Sequence, residues 1–288
     1  MVSRASAAQW TRPPVWRPVV DVLIPTADRP SELAVTLAGL AAQDDPPFRV
    51  VISDQSSAPM GEVPAVQAMV RLLGAQGRPV HIVRHLPRRG MAEQRQFLFE
   101  QSSATAVLFL DDDVWLEPDA LATMHRALCD LGCGFVGMAV QGLSFLDDDR
   151  PAEYSPFAVW NGPVTPEHVR RDCPAHDRWT LHNAANLAHI AARTELPDSG
   201  WLPYRVAWVG GCVLYRRDAL ADAGAFDFWE HLPVDHSGED VVAQWRVMDR
   251  DGGAGILPSG AVHLEAPTTL VRRRIDAPDV ILDEPARV

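Results

Sequence analysis

From residue 19 onward, short apolar runs alternate with stretches whose apolar residues recur at helical spacing. Val19-Val20-Asp21-Val22-Leu23-Ile24 predicts a strand that ends at Pro25. Leu33, Leu37, Leu40 and Ala41 share a helical face and predict a helix from Ser31 to Ala42. Arg49-Val50-Val51-Ile52-Ser53 predicts a second strand, followed by Asp54-Gln55-Ser56-Ser57. A helix around Val63 to Leu73 leads to a strand at Val80-His81-Ile82-Val83. Gly90 opens a helix that runs to about Gln101. The run Ala106-Val107-Leu108-Phe109-Leu110 is short and wholly apolar, as a fully buried strand requires. Strands alternating with helices predict an α/β protein, with a mainly parallel central sheet flanked by crossover helices.

The second half is less regular. Phe135 to Val140 predicts a strand, and Val241, Val242, Trp245 and Met248 predict a helix that starts near Glu239. Between them lies a long segment carrying Trp160, His168, His176, Trp179, His182 and His189. Its spacing matches no common metal motif. Lining an acceptor pocket or lid and plain packing are both open for it. The chain through Pro18 reads as an irregular N-terminal tail. Residues 19–275 read as one domain, and 276–288, with Pro278 and Pro285, as a loosely packed C-terminal tail.

Two acidic clusters change this picture. Asp111-Asp112-Asp113 follows the fourth predicted strand directly. The carboxyl end of a strand in an open α/β sheet is where ligands bind. Carboxylates there suit Mg²⁺ or Mn²⁺, with a substrate phosphate completing the shell. The alternative is a solvated acidic loop before a helix that starts at Pro118-Asp119-Ala120-Leu121. Glu239 and Asp240 open the late helix, where acidic residues favour the helix dipole and Ser237 with Asp240 resembles a capping box. The functional alternative is a carboxylate at a pocket wall that takes a proton from a hydroxyl.

Several ordered pieces of the chain resemble family 2 glycosyltransferases with the GT-A fold. Ile24-Pro25-Thr26 with Arg29 resembles the family's first strand and turn. Ser53-Asp54-Gln55-Ser56-Ser57 resembles the segment that receives the nucleotide base. Arg88-Arg89-Gly90-Met91-Ala92 with Arg95 resembles the loop and helix before the metal motif, and Phe109 to Asp113 resembles the DxD motif itself. Trp208-Val209-Gly210-Gly211-Cys212 resembles the stretch that faces the donor sugar. Gly224-Ala225-Phe226-Asp227 and then Gly238-Glu239-Asp240 resemble the stretch that carries the catalytic base, and His263 a late histidine of the metal shell. Together these span about residues 19–265.

The resemblance implies a GT-A-like nucleotide-diphospho-sugar transferase fold, with residues 19–115 as the nucleotide-binding half and 116–275 as the acceptor-binding half. It implies a metal-dependent hexosyltransferase-like enzyme that moves a sugar from a nucleotide-diphosphate sugar to an acceptor hydroxyl, with inversion. Asp240 would be the base, with Glu239 beside it. Asp113, Asp111 and His263 would hold Mn²⁺ or Mg²⁺. Pro25, Thr26, Arg29, Asp54, Arg89, Arg95, Asp111, Asp112, Gly210 and Gly211 would meet the nucleotide sugar. A sugar nucleotidyltransferase, or a non-catalytic nucleotide-sugar-binding protein of the same fold, is the alternative.

Composition removes other classes. All 26 basic residues are arginine. A P-loop needs its lysine on the phosphates, so that chemistry is excluded, as are lysine Schiff bases and the kinase lysine. The net charge of −12 argues against nucleic acid as a partner. No run of roughly 18 apolar residues predicts a transmembrane helix, and the N-terminus lacks the apolar core of a signal peptide. Cys129, Cys133, Cys173 and Cys212 form no CxxC pair, so free thiols in a reducing cytoplasm are expected. Cys129 and Cys133, four apart, are expected on one helix face.

Overall fold

A computed structural model describes residues 4–268 and 275–282. The first half contains β1 (Val20–Thr26), α1 (Pro30–Ala41), β2 (Phe48–Asp54), α2 (Pro64–Ala75), β3 (Val80–Arg84), α3 (Met91–Glu100), β4 (Ala106–Leu110), β5 (Val114–Leu116) and α4 (Ala120–Leu131). There follow β6 (Phe135–Gly137), β7 (Gln141–Gly142), α5 (Asn186–Ala192), β8 (Leu202–Tyr204), β9 (Cys212–Arg216), α6 (Arg217–Asp222), β10 (His236–Ser237) and α7 (Glu239–Asp251). The described chain ends with β11 (Gly253–Leu257), β12 (Ala261–His263), β13 (Ile275–Asp276) and α8 (Ala277–Ile281).

Eight strands form one sheet in the order β3-β2-β1-β4-β9-β6-β11-β8. The four early strands are mutually parallel. β9 then runs antiparallel to both β4 and β6, and β8 antiparallel to β11. Period-2 alternation along the strands sorts the core into two layers. Val22, Ile24, Val50, Ile52, Leu108 and Leu110 pack with Leu33 and Leu37 of α1 and Met124 of α4. Leu23, Val51, Val107 and Phe109 face the other way, toward Leu98 of α3 and Val242, Trp245 and Met248 of α7. Helices therefore cover both faces, and the carboxyl ends of β1 and β4 open at one edge of this sandwich.

A charge lies inside the sheet. Asp21 of β1 is fully buried. It accepts hydrogen bonds from Arg49 Nε (2.6 Å) and from the backbone N–H groups of Ser103 and Ala104. Burial pushes this carboxyl up, but the bonds from Arg49, Ala104 and Ser103 outweigh it and hold it below the usual carboxylate range.

Four details differ from the sequence reading. The sixth strand stops at Gly137, although Met138 N still donates to the Cys212 carbonyl of β9. Cys133 lies beyond the end of α4 and is buried, whereas Cys129 is on the helix and exposed, so the two do not share a face. The N-terminal segment is irregular but anchored: Ala5 is buried and donates to Gln76 O. Residues 276–282 are not loose. β13 pairs in parallel with β10, and Ala277 at the start of α8 is fully buried. Pro285 lies outside the described residues.

Candidate active site

The end of β4 projects Asp111, Asp112 and Asp113 into a cleft of about 520 Å³. The strand end is pinned from β9, with Asp111 N donating to Gly211 O at 2.9 Å. Gly211 has φ +76°, and a Cβ there would come within 2.9 Å of Val140 Cγ1 and 3.6 Å of Asp111 Oδ2. Both the backbone conformation and the close approach require glycine.

The three aspartates have different surroundings. Asp112 is 5% exposed, and its carboxylate accepts from Thr26 Oγ1 (2.7 Å) and Arg29 Nη1 (3.1 Å). Its carbonyl accepts from Thr36 Oγ1. Burial nevertheless pushes its carboxyl up to about 6. Asp113 accepts from Arg29 Nη1 at 2.7 Å, and burial together with the Asp111 charge raises its carboxyl. Asp111 is the most open of the three side chains, and it accepts from Arg95 Nη2 at 3.0 Å. Arg29 also reaches the Pro267 carbonyl, so the turn after β12 closes on the triplet.

Arg95 comes from α3 and is almost wholly buried. Its Nε donates to Glu239 Oε1 at 3.0 Å, so one guanidinium spans the acids of β4 and those of α7. Burial opposes its charge, yet Asp111, Glu239 and Asp240 raise its pKa. Asp240 lies in the first turn of α7, and its Oδ1 accepts from Val241 N. Burial first, and then the Glu239 charge, push its carboxyl up to about 7, against the pull of Arg95. The expected Ser237 capping box is not formed. The N-cap is Gly238 in the left-handed region, with no side-chain cap bond.

Pro25, Thr26, Arg29, Arg95, the three aspartates, Glu239, Asp240 and His263 all line this cleft. Gly211 supports it from behind. Asp54, Arg89 and Gly210 do not line it. The Asp54 carboxylate is fully buried and accepts from Ser56 N (2.9 Å), Met60 N (2.8 Å) and Arg84 Nη1 (3.0 Å). It holds the turn after β2. Arg89 is exposed on the loop before α3. The cleft also contains Gln94, Trp208, Ser237 and Asp276, to which the sequence reading gave no site role of their own. For Trp208 the motif was a signal. For Asp276 there was none, since a two-residue pairing across the fold leaves no periodicity.

Among the described residues, no group of three or more His, Cys, Asp or Glu side chains is set to hold a metal ion. The carboxylates of Asp111 and Asp113 still suit a divalent cation, because Mg²⁺ is usually bound through one or two carboxylates plus substrate phosphates. The mutual repulsion that raises Asp113 is what such a cation relieves. His263 fits less directly. Its Nδ1 accepts from Glu265 N at 2.9 Å, which leaves the proton of the neutral ring on Nε2, 3.5 Å from Asp113 Oδ2. In this arrangement His263 Nε2 lies near Asp113 without a hydrogen bond to it.

The mainly parallel sheet, opening at an acid-lined cleft, has the GT-A fold. The profile of glycosyl transferase family 2 matches residues 21–177, more than half of the chain, and the chain belongs to that family. It is similar in fold to the mannosyltransferase PcManGT from Pyrobaculum calidifontis in complex with GDP-Man and Mn²⁺, at 17% identity and a TM-score of 0.55, covering 92% of this chain and 64% of that one. It is likewise similar to S. aureus TarS 1-349 in complex with UDP-GlcNAc, at 16% identity and a TM-score of 0.53, covering 87% of this chain and 60% of that one. The chain thus spans less than two thirds of the length of these structures. No curated protein matches it.

Proposed function

We propose that the chain is a glycosyltransferase that moves a hexose from a nucleotide-diphosphate sugar to an acceptor hydroxyl in a single inverting displacement. The observation that carries this reading is the convergence of Asp111, Asp113, Glu239 and Asp240 on one cleft, bridged by Arg95. Asp111 and Asp113 would hold Mn²⁺ or Mg²⁺, which when bound neutralises the charge developing on the leaving diphosphate. Thr26 and Arg29 fix the triplet from the β1 side. Asp240 takes the proton of the attacking hydroxyl, and a carboxyl near neutrality suits a general base at neutral pH. Glu239 holds Arg95 in place. Residues 19–115 serve the donor and 116–275 the acceptor, within one shared sheet. Four free thiols suit a reducing compartment, and we assign the activity to the cytoplasm. No described helix is long and apolar enough to cross a membrane.

GDP-Man and UDP-GlcNAc, held by the two similar structures, are the first donors to assay. Asp240→Asn keeps the shape but cannot accept a proton at neutral pH. Its turnover should fall by about 10²–10⁴-fold with nucleotide affinity retained. Unchanged turnover would sink the base assignment. Release of pyrophosphate from a nucleoside triphosphate and a sugar phosphate would instead indicate a nucleotidyltransferase.

A further inference from the structure

The cleft has an aromatic wall to which the mechanism proposed above gives no role. Trp208 lies beside the start of α7, and the backbone around it is fixed there. Gln244, one turn beyond Asp240, accepts from Val209 N and donates to Val209 O, both at 2.7 Å. Trp245 Nε1 donates to Ala207 O at 2.9 Å. The Trp208 ring leans on His176, with centroids 5.7 Å apart, and still lines the cleft.

Two polar side chains meet this wall from the other side. Ser237 of β10 and Asp276 of β13 are register partners and both line the cleft. Asp276 packs directly against Gly238, the residue before Glu239-Asp240. One oxygen of Asp276 is taken by Arg171 Nη2, and Arg171 also pairs with Asp279. An aromatic face and two hydrogen-bonding groups therefore surround the carboxylate that acts on the acceptor.

The charges here select against an anion. Among the described residues, the arginines that line the cleft are Arg29 and Arg95, and both are committed, Arg29 to Asp112 and Asp113, and Arg95 to Asp111 and Glu239. An anionic acceptor at the start of α7 would face Asp240, and the arginines beside it are already held, Arg95 by Glu239 and Arg171 by Asp276. A sugar ring presents a C–H face and a rim of hydroxyls. It can be held by an apolar surface with a few placed polar groups and needs no cation.

We propose, resting on the transferase reading above, that the acceptor is a neutral carbohydrate whose ring lies on the Trp208 indole, with its hydroxyls held by Ser237 and Asp276 beside Asp240.

Saturation-transfer NMR on the full chain tests this, with a panel of methyl glycosides and, separately, undecaprenyl phosphate in detergent micelles. Each is measured with and without nucleotide and Mn²⁺. At least one methyl glycoside should bind. Trp208→Ala should weaken it by about tenfold, in keeping with the strength of aromatic contacts. Trp208→Phe should retain it, and Asp276→Asn should weaken it. UDP and GDP affinity should stay unchanged in all three variants. Binding of the polyprenyl phosphate and of no glycoside overturns the proposal. So does glycoside binding that survives Trp208→Ala, or a Trp208→Ala defect confined to the nucleotide sugar. Glycoside binding with the expected variant pattern, in a protein that binds no nucleotide, supports the acceptor site while sinking the transferase reading.

Discussion

Adjacent aspartates in one triplet carry different tasks. All three line the cleft, but Asp112 is held by both Thr26 and Arg29, Asp113 by Arg29 alone, and the more open Asp111 by Arg95. Asp113→Ala should therefore erase the gain in nucleotide affinity that Mn²⁺ gives, while Asp112→Asn keeps most of it. Calorimetric titration of UDP and GDP with Mn²⁺ or EDTA measures both, and equal losses would put Asp112 on the ion as well. Asp54 tests how far sequence resemblance reaches. Its neighbours Gln55-Ser56-Ser57 suggested a base-binding segment, but its oxygens serve two backbone N–H groups and Arg84. Asp54→Ala should lower stability by about 3–5 kcal/mol, since it strands buried partners. Nucleotide affinity of the folded fraction should not change, and a selective loss of nucleotide binding would return Asp54 to the donor site. The identities of the acids were legible because carboxylates at a strand end and a helix start are conspicuous. Their ionic partners were not, since Arg95 meets Glu239 across 144 residues of chain.

The early strands and helices were readable because their periodicity is local and β1, β2 and β4 are buried on both faces. The antiparallel course of β9 was not readable, because its direction is set by its neighbours β4 and β6 and not by its own residues. The two-residue pair β10–β13 carries too little pattern to be seen, yet it brings Asp276 to the cleft. α7 has two duties: its apolar face fills the core, and Gln244 clamps the loop bearing Trp208. Gln244→Leu leaves the buried Val209 N–H and C=O without partners. It should cost roughly 2–4 kcal/mol in urea unfolding. A loss below about 1 kcal/mol would show that the loop holds itself.

For the whole molecule, the cleft sets a pH dependence of stability. Asp112 at about 6, Asp240 at about 7 and the raised Asp113 bind protons more tightly when folded than when unfolded. Their contribution is full below the unfolded carboxylate pKa of about 4 and is lost as pH rises through about 6–7. Asp21 and Asp54, both held low, act oppositely and contribute above about pH 4, with their share lost in stronger acid. The melting temperature without metal should therefore fall between about pH 5 and 8, and Mn²⁺ should reduce that fall. Asp240→Asn should flatten the profile. A melting temperature that rises over this range in scanning calorimetry would contradict the assignment of buried, proton-retaining acids.

The contact between Gly238 and Asp276 limits how this protein can be varied. Gly238 has φ +78°, and a Cβ there would stand 2.1 Å from Asp276 Oδ1. The two positions are therefore epistatic, with a fixed order. Asp276 can be shortened while Gly238 stays, but growth at Gly238 forces the Asp276 carboxylate to shift and brings the new Cβ to 3.0 Å from Pro278 Cδ. A library aimed at new acceptors should randomise position 276 on the glycine background. Substitutions at 238 should be admitted only among clones with a small residue at 276, and even there the left-handed backbone will cost of the order of 1 kcal/mol.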